Sequence, residues 1–166
     1  MTAAARDRRR IASCLGAAAV FLLVSANALS AQELVRITVP ALVSFEVVDV
    51  GSSVTGSPNP TRVSYDNGVL LPLHALRISV RAEGNLTAAG SSIAASKVSW
   101  TTSNTSNGVG INGTLSSSVY TQVFQSSTGA SSGGVDVAWT LSAPGTPVRA
   151  ATHQATLRWK LEAVTP

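Results

Sequence analysis

The sequence predicts an all-β domain: an immunoglobulin-like antiparallel β-sandwich of about eight strands, with a small β-barrel as the alternative arrangement. Three observations carry this. Residues 32–166 are rich in Ser, Thr, Gly, Val and Ala and poor in the helix formers Glu, Lys and Gln. Apolar and polar residues alternate in eight separate runs, and no window has convincing helical spacing. The runs are separated by stretches such as "GSSVTGSPNP", "SNTSNGVGINGT" and "SSTGASSGG". One apolar and one polar face per run is the pattern of antiparallel sheets packed face to face.

The runs follow in order. "LVRITV" sets Val35, Ile37 and Val39 against Arg36 and Thr38, and "LVSFEVVDV" sets Val43, Phe45 and Val47 against Ser44 and Glu46. "TRVSYD" is short and ends at the turn signal Asp66-Asn67-Gly68. "ALRISVRAEG" puts Leu76, Ile78, Val80 and Ala82 opposite Arg77, Ser79 and Arg81, and "KVSWTT" carries Val98 and Trp100 on one face. "SVYTQVFQS" has Val119, Thr121 and Val123 on one face and Tyr120, Gln122 and Phe124 on the other. "GVDVAWTLSA" puts Val135, Val137, Trp139 and Leu141 opposite Asp136, Ala138 and Thr140. The closing run "HQATLRWKLEAVTP" places Leu157, Trp159 and Leu161 toward the core and Arg158, Lys160 and Glu162 toward water. Trp159 is expected to be buried and structural.

Residues 1–31 read as a cleaved secretory signal and 32–166 as one domain. "ARDRRR" is a basic n-region, an apolar run follows, and small residues end it, with cleavage after Ala31 or alternatively after Ala28. The strongly apolar part, Leu15 to Val24, is shorter than the ~20 residues a spanning helix needs, so no membrane span is expected after cleavage. Arg8-Arg9-Arg10-Ile11 admits a twin-arginine reading, but any n-region is basic and the general route is preferred. Cys14 precedes the apolar stretch and so is not a lipidation site.

Four of the twelve basic residues and one of the eight acidic ones lie in this leader. Residues 32–166 therefore carry eight against seven and no basic cluster, which argues against a nucleic-acid partner. Cys14 is the only cysteine, so this domain has no disulfide, thiol nucleophile or thiolate ligand. It must stand on its own core.

The residues suggest no catalysis and no cofactor. "GVGING" (Gly108 to Gly113) satisfies G-x-G-x-x-G, but "TLSSS" follows where a dinucleotide site needs a helix, so the segment is read as a glycine-rich turn. His74 and His153 are the only imidazoles, and neither is near a G-x-S-x-G element or a close carboxylate. Two histidines and dispersed acids, with Glu46 and Asp49 the nearest pair in the first half, make no metal site. A glycosidase pair meets in space rather than in sequence, so spacing leaves it open. Three sequons begin at Asn85, Asn104 and Asn112, as a Ser/Thr/Asn-rich chain supplies by chance.

"ATLRWKLEAVTP" resembles the closing segment of WxL-domain proteins of bacterial cell surfaces, in which a Trp-x-Leu strand is followed by a Pro. Trp159-Lys160-Leu161 and Pro166 fit that pattern, and Trp139-Thr140-Leu141 is a second Trp-x-Leu. His153 stands where that family has Tyr, and the far-upstream position offers Leu76. The resemblance covers about 14 residues. It implies an exported β-rich protein held non-covalently at the cell envelope, with an envelope polymer or another envelope protein as partner, and Trp139, Leu141, Trp159 and Leu161 as motif residues. Packing in the core is the alternative role for all four.

The expected function is thus an exported, non-catalytic structural or adhesive domain, at the cell surface, in the periplasm or outside the cell. Two alternatives stand beside it. One is a polymerising fimbrial-type subunit, with "QELVRITVP" as a strand donated to a neighbour. The other is a carbohydrate-binding module using Tyr65, Tyr120 and Phe124.

Overall fold

The computed structural model describes residues 34–88 and 90–165. The leader, the expected cleavage site and Pro166 lie outside them. Two antiparallel sheets pack face to face around one apolar core, so the architecture is a sandwich and not a closed barrel. Among the described residues thirteen strands form it: β1 (Leu34–Thr38), β2 (Leu42–Val47), β3 (Val54–Thr55), β4 (Thr61–Val69), β5 (Ala75–Ala82), β6 (Leu86–Ala88), β7 (Ser91–Ile93), β8 (Val98–Ser106), β9 (Gly108–Gly110), β10 (Gly113–Thr114), β11 (Thr121–Ser126), β12 (Gly133–Leu141) and β13 (Ala151–Val164). The eight with five or more residues are the eight alternating runs. The other five have two or three residues each and sit in stretches expected as loops.

The first sheet runs β1-β4-β12-β8-β10, with β3 against the end of β12 that β4 does not reach. The second runs β7-β6-β13-β5-β11-β9, and β2 pairs the first half of β13. The second half of β13, Leu157 to Val164, lies along β5. The closing strand is therefore central in its sheet.

Alternation fixes what is buried. Val43, Phe45 and Val47 from β2, Leu76, Ile78, Val80 and Ala82 from β5, and Val135, Val137, Trp139 and Leu141 from β12 all face the core. Trp139 and Trp100 are cross-strand partners with ring centroids 5.5 Å apart. Tyr65 and Phe124 meet across the two sheets at 6.1 Å. Burial raises the pKa of the Tyr65 phenol, a Ser126 hydrogen bond opposing it.

Three expectations need correction. No turn forms at Asp66-Asn67-Gly68: β4 continues to Val69, and its register against β1 shifts between Arg36↔Asp66 and Leu34↔Val69. The extra residue is absorbed as a bulge, with the Gly68 N–H donating to the Ser131 carbonyl at 2.8 Å. The chain turns instead through Leu70 to His74, where Leu73 is exposed and takes a positive φ of 67°. Second, β11 does not keep strict alternation. Its register against β5 shifts between Gln122 and Phe124, so Val123 and Phe124 are both fully buried and Gln122 and Gln125 both face outward. Val119 lies before the strand and is exposed. Third, Trp159 is half-buried, as is Leu161. Beside β13, β2 reaches only to Thr156, and the indole beyond it donates to the Pro40 carbonyl at 2.7 Å. Trp159 thus fastens the β1–β2 link at the margin of the core.

Candidate functional site

The sequence-predicted residues separate into those the core absorbs and those left facing water. Trp139 and Leu141 are fully buried, and Trp159 and Leu161 pack at the core's edge. The two Trp-x-Leu segments lie on different sheets, on β12 and β13. Of the aromatics considered for sugar stacking, Tyr65 and Phe124 are buried because their strands turn them inward. Tyr120 alone is partly exposed.

"GVGING" supplies β9 to the second sheet and β10 to the first, so it crosses the sandwich from one layer to the other. Its glycines allow close packing. A Cβ on Gly108 would collide with the Gln125 carbonyl and the Phe124 ring, and one on Gly113 with the Trp100 indole. The Trp100 indole N–H donates to the Ile111 carbonyl inside this loop at 2.8 Å. No α-helix follows, so the segment offers no helix terminus to a phosphate.

His153 has a partner that its sequence neighbours do not reveal. The ring is fully buried, with Nε2 2.8 Å from Ser91 Oγ and Nδ1 3.1 Å from the Ala151 carbonyl. The carbonyl only accepts, so Nδ1 carries the proton, and Nε2 accepts from the serine hydroxyl. Ser91 Oγ also lies 3.1 Å from the Ala88 carbonyl, so its single proton has a second acceptor and is given to one or the other. This is a serine beside an imidazole, but the imidazole has no exposed surface and its orienting group is a neutral carbonyl. What the pair does is tie β7, at the sheet edge, to central β13. His74 lies in the turn after β4, where its N–H donates to the Leu71 carbonyl and its own carbonyl accepts from Gly129. Among the described residues no three His, Asp or Glu side chains group as a metal site. Clefts of about 210 Å³ beside Val35 and Leu161 and about 310 Å³ beside Val109 and Ile111 lie near or below the lower end of small-molecule pockets, ~300–1,000 Å³.

The distinctive surface is the outer face of the second sheet. Adjacent strands β13, β5 and β11 set side chains in rows across it. Arg158 lies opposite Arg81, and Tyr120, the residue before β11, continues that row. Lys160 lies opposite Ser79, which lies opposite Gln122. Glu162 lies opposite Arg77, which lies opposite Gln125. Rows two residues apart are about 7 Å apart at the ~3.3 Å rise of a strand. The Arg81 guanidinium lies 5.3 Å from the Tyr120 ring centre and the Lys160 ammonium 6.0 Å from it. Arg81 also donates to the carbonyls of Ala82 and Ser117. Arg158 pairs with Glu83 at 2.5 Å and Lys160 with Glu162 at 2.8 Å, both exposed. Gln122 donates to Gln125 at 3.1 Å. The β13–β5–β11 part of this face carries four of the eight Lys/Arg of residues 32–166 against two carboxylates, Glu83 and Glu162, while Glu46 faces outward further off on β2.

Arg77, Arg81, Arg158, Lys160 and Glu162 were legible as outward from alternation, whereas Gln125 falls by alternation on the Val123 face. Their coming together was not, because it depends on β13 lying beside β5 and on the β11 bulge that brings Gln125 to the same side as Gln122. No protein-family model, curated protein or solved structure matches this chain.

Proposed function

We propose that this protein is an exported, non-catalytic domain of the bacterial cell envelope that acts by adhesion or as a structural module, with residues 1–31 removed on export. The observation that carries the reading is the concentration of cations and one aromatic ring on the rigid centre of the second sheet. The rest of residues 32–166 is nearly balanced in charge. A site on strands is held more firmly than one on loops. The leader-like layout of residues 1–31 supports export, and the Trp-x-Leu resemblance supports the envelope as its destination. Cell fractionation with intact-mass analysis tests the reading. The expected result is protein in the periplasmic or surface fraction beginning at Gln32. Cytosolic protein retaining Met1 would overturn it.

A fimbrial-type subunit is the second reading, favoured by β1 being an edge strand near the start of the domain. Here β1 pairs with β4 of its own chain, which favours a self-contained monomer. Size-exclusion chromatography decides: a monomer stable to dilution supports the first reading, and an SDS-resistant ladder the second.

A further inference from the structure

We infer that the Arg81–Tyr120–Lys160 face binds an acidic polysaccharide, through carboxylates on its sugars. The inference rests on the proposed envelope role and names the ligand class for it. Three features lead there. First, the cations are spread, not stacked. Arg158 and Arg81 form one row, Lys160 stands one row on, and Arg77 two rows on, so positive charge extends over about 13 Å of strand. Beside them, on β11, stand the amides of Gln122 and Gln125, which suit the hydroxyls of a sugar chain. A phosphate-dense polymer, with a charge every ~1.7 Å in duplex DNA, would press anions against Glu162 and Glu83.

Second, the cations are accessible at low cost. The Arg158–Glu83 and Lys160–Glu162 pairs are exposed ion pairs, of the kind worth little in water, so an incoming carboxylate can replace the partner. Arg77 Nε, shielded from solvent, has no hydrogen-bond partner, so turning that guanidinium breaks no bond at that atom. Third, Arg81 is held ready. Two carbonyls and the Tyr120 ring fix its guanidinium, and a fixed planar fork receives a carboxylate with little ordering left to do. Arg158 and Arg81 directly opposite repel one another, and an anion lodged between them removes that repulsion.

Affinity electrophoresis and calorimetry of the purified protein test this, with polygalacturonate as probe. Fully methyl-esterified polygalacturonate serves as its neutral twin and inorganic polyphosphate as a phosphate-dense control. The expected result is binding to polygalacturonate that weakens with salt, and at least about tenfold weaker binding to the ester and to polyphosphate (about 1.4 kcal/mol). The Arg158→Gln/Lys160→Gln double variant should lose about tenfold or more, and Arg62→Gln on the other sheet less than about twofold. If the double variant is unstable, the single variants, each losing about threefold, carry the same reading. No binding to polygalacturonate, equal binding of ester or polyphosphate, or equal loss in Arg62→Gln would overturn the inference. Envelope-associated protein that ignores polygalacturonate overturns this inference alone. Cytosolic protein retaining Met1 overturns the envelope reading, whatever it binds.

Discussion

On the outer face of the first sheet, every strong charge at the β4–β12–β8 junction is answered by a neighbour. Arg62 donates to Asp136 Oδ1 at 3.1 Å, to the Asn104 carbonyl at 2.7 Å and to Ser106 Oγ at 3.0 Å. Asn104 donates to the other carboxylate oxygen at 2.9 Å. One cation and one anion close a network across three strands. On the outer face of β13, β5 and β11 in the second sheet, four cations face two carboxylates, two of the cations sit opposite one another, and an aromatic ring holds two of them. Both faces arise from the same alternation. The inner parity is constrained by the core, whereas the outer residues are free to differ. A self-satisfied face holds the fold together, and an under-neutralised one is available to a partner.

The largest change breaks the comparison by removing the scaffold both faces share. Trp139→Ala deletes a fully buried indole packed at a tilt against Trp100 and should cost about 3–5 kcal/mol in a urea melt. Trp159→Ala, at the half-buried margin, should cost about half as much, chiefly by freeing Pro40. Equal losses from the two would mean that β13 is as deeply packed as β12. His153→Ala should fall near Trp159→Ala, about 1–3 kcal/mol, because it empties a fully buried site and cuts the tie between β7 and β13. It should leave polygalacturonate binding unchanged, since the ring lies within the sandwich. A tenfold loss of binding with unchanged melting would make His153 a site residue.

How far the sequence could be read follows from these same residues. Period-two runs located all eight long strands and most core side chains, because burial of one face is a local property of the chain, but they missed Leu86, Ile93, Ala95 and Leu115, which lie outside the runs. The bulges at Gly68 and Val123 were hidden, since a bulge is decided by the partner strand. Ser91 and His153 were hidden because 62 residues separate them. Tyr120 was noticed as an aromatic, but its cations come from β5 and β13, and only the strand order joins them. The charge balance of residues 32–166 hid the cationic face, because a near-zero sum does not report how charges are distributed.

The next effect concerns the closed network. The Asn104 hydrogen bond, with Arg62 beside it, holds the Asp136 carboxyl below its ordinary value of 3.8. A depressed folded pKa means the stabilisation is full above that ordinary value and is lost as pH falls through the folded one. Asp136→Asn should therefore destabilise the protein at pH 7, by less than about 1 kcal/mol because the pair is solvent-screened. Urea melts of parent and variant should converge as the pH is lowered below 3.8. A gap that persists at the lowest pH would show that shape rather than charge holds this network.

The smallest stability effect is expected where the binding effect is largest. Arg158 gains a little from Glu83 at 2.5 Å and loses a little from Arg81, its direct cross-strand partner. An exposed ion pair and a facing like charge are each worth a few tenths of a kcal/mol, with opposite sign. Arg158→Gln should therefore melt within about 0.5 kcal/mol of the parent. Adding salt should not separate the two curves, because it screens the attraction and the repulsion together. Arg62→Gln makes the opposite comparison. It leaves Asp136 without its cation, and should destabilise more than Arg158→Gln while leaving polygalacturonate binding alone. If Arg158→Gln proves the more destabilising of the two, the second face is held together by its charges as the first is. Its cations would then be structural, and the distinction between the two faces would fail.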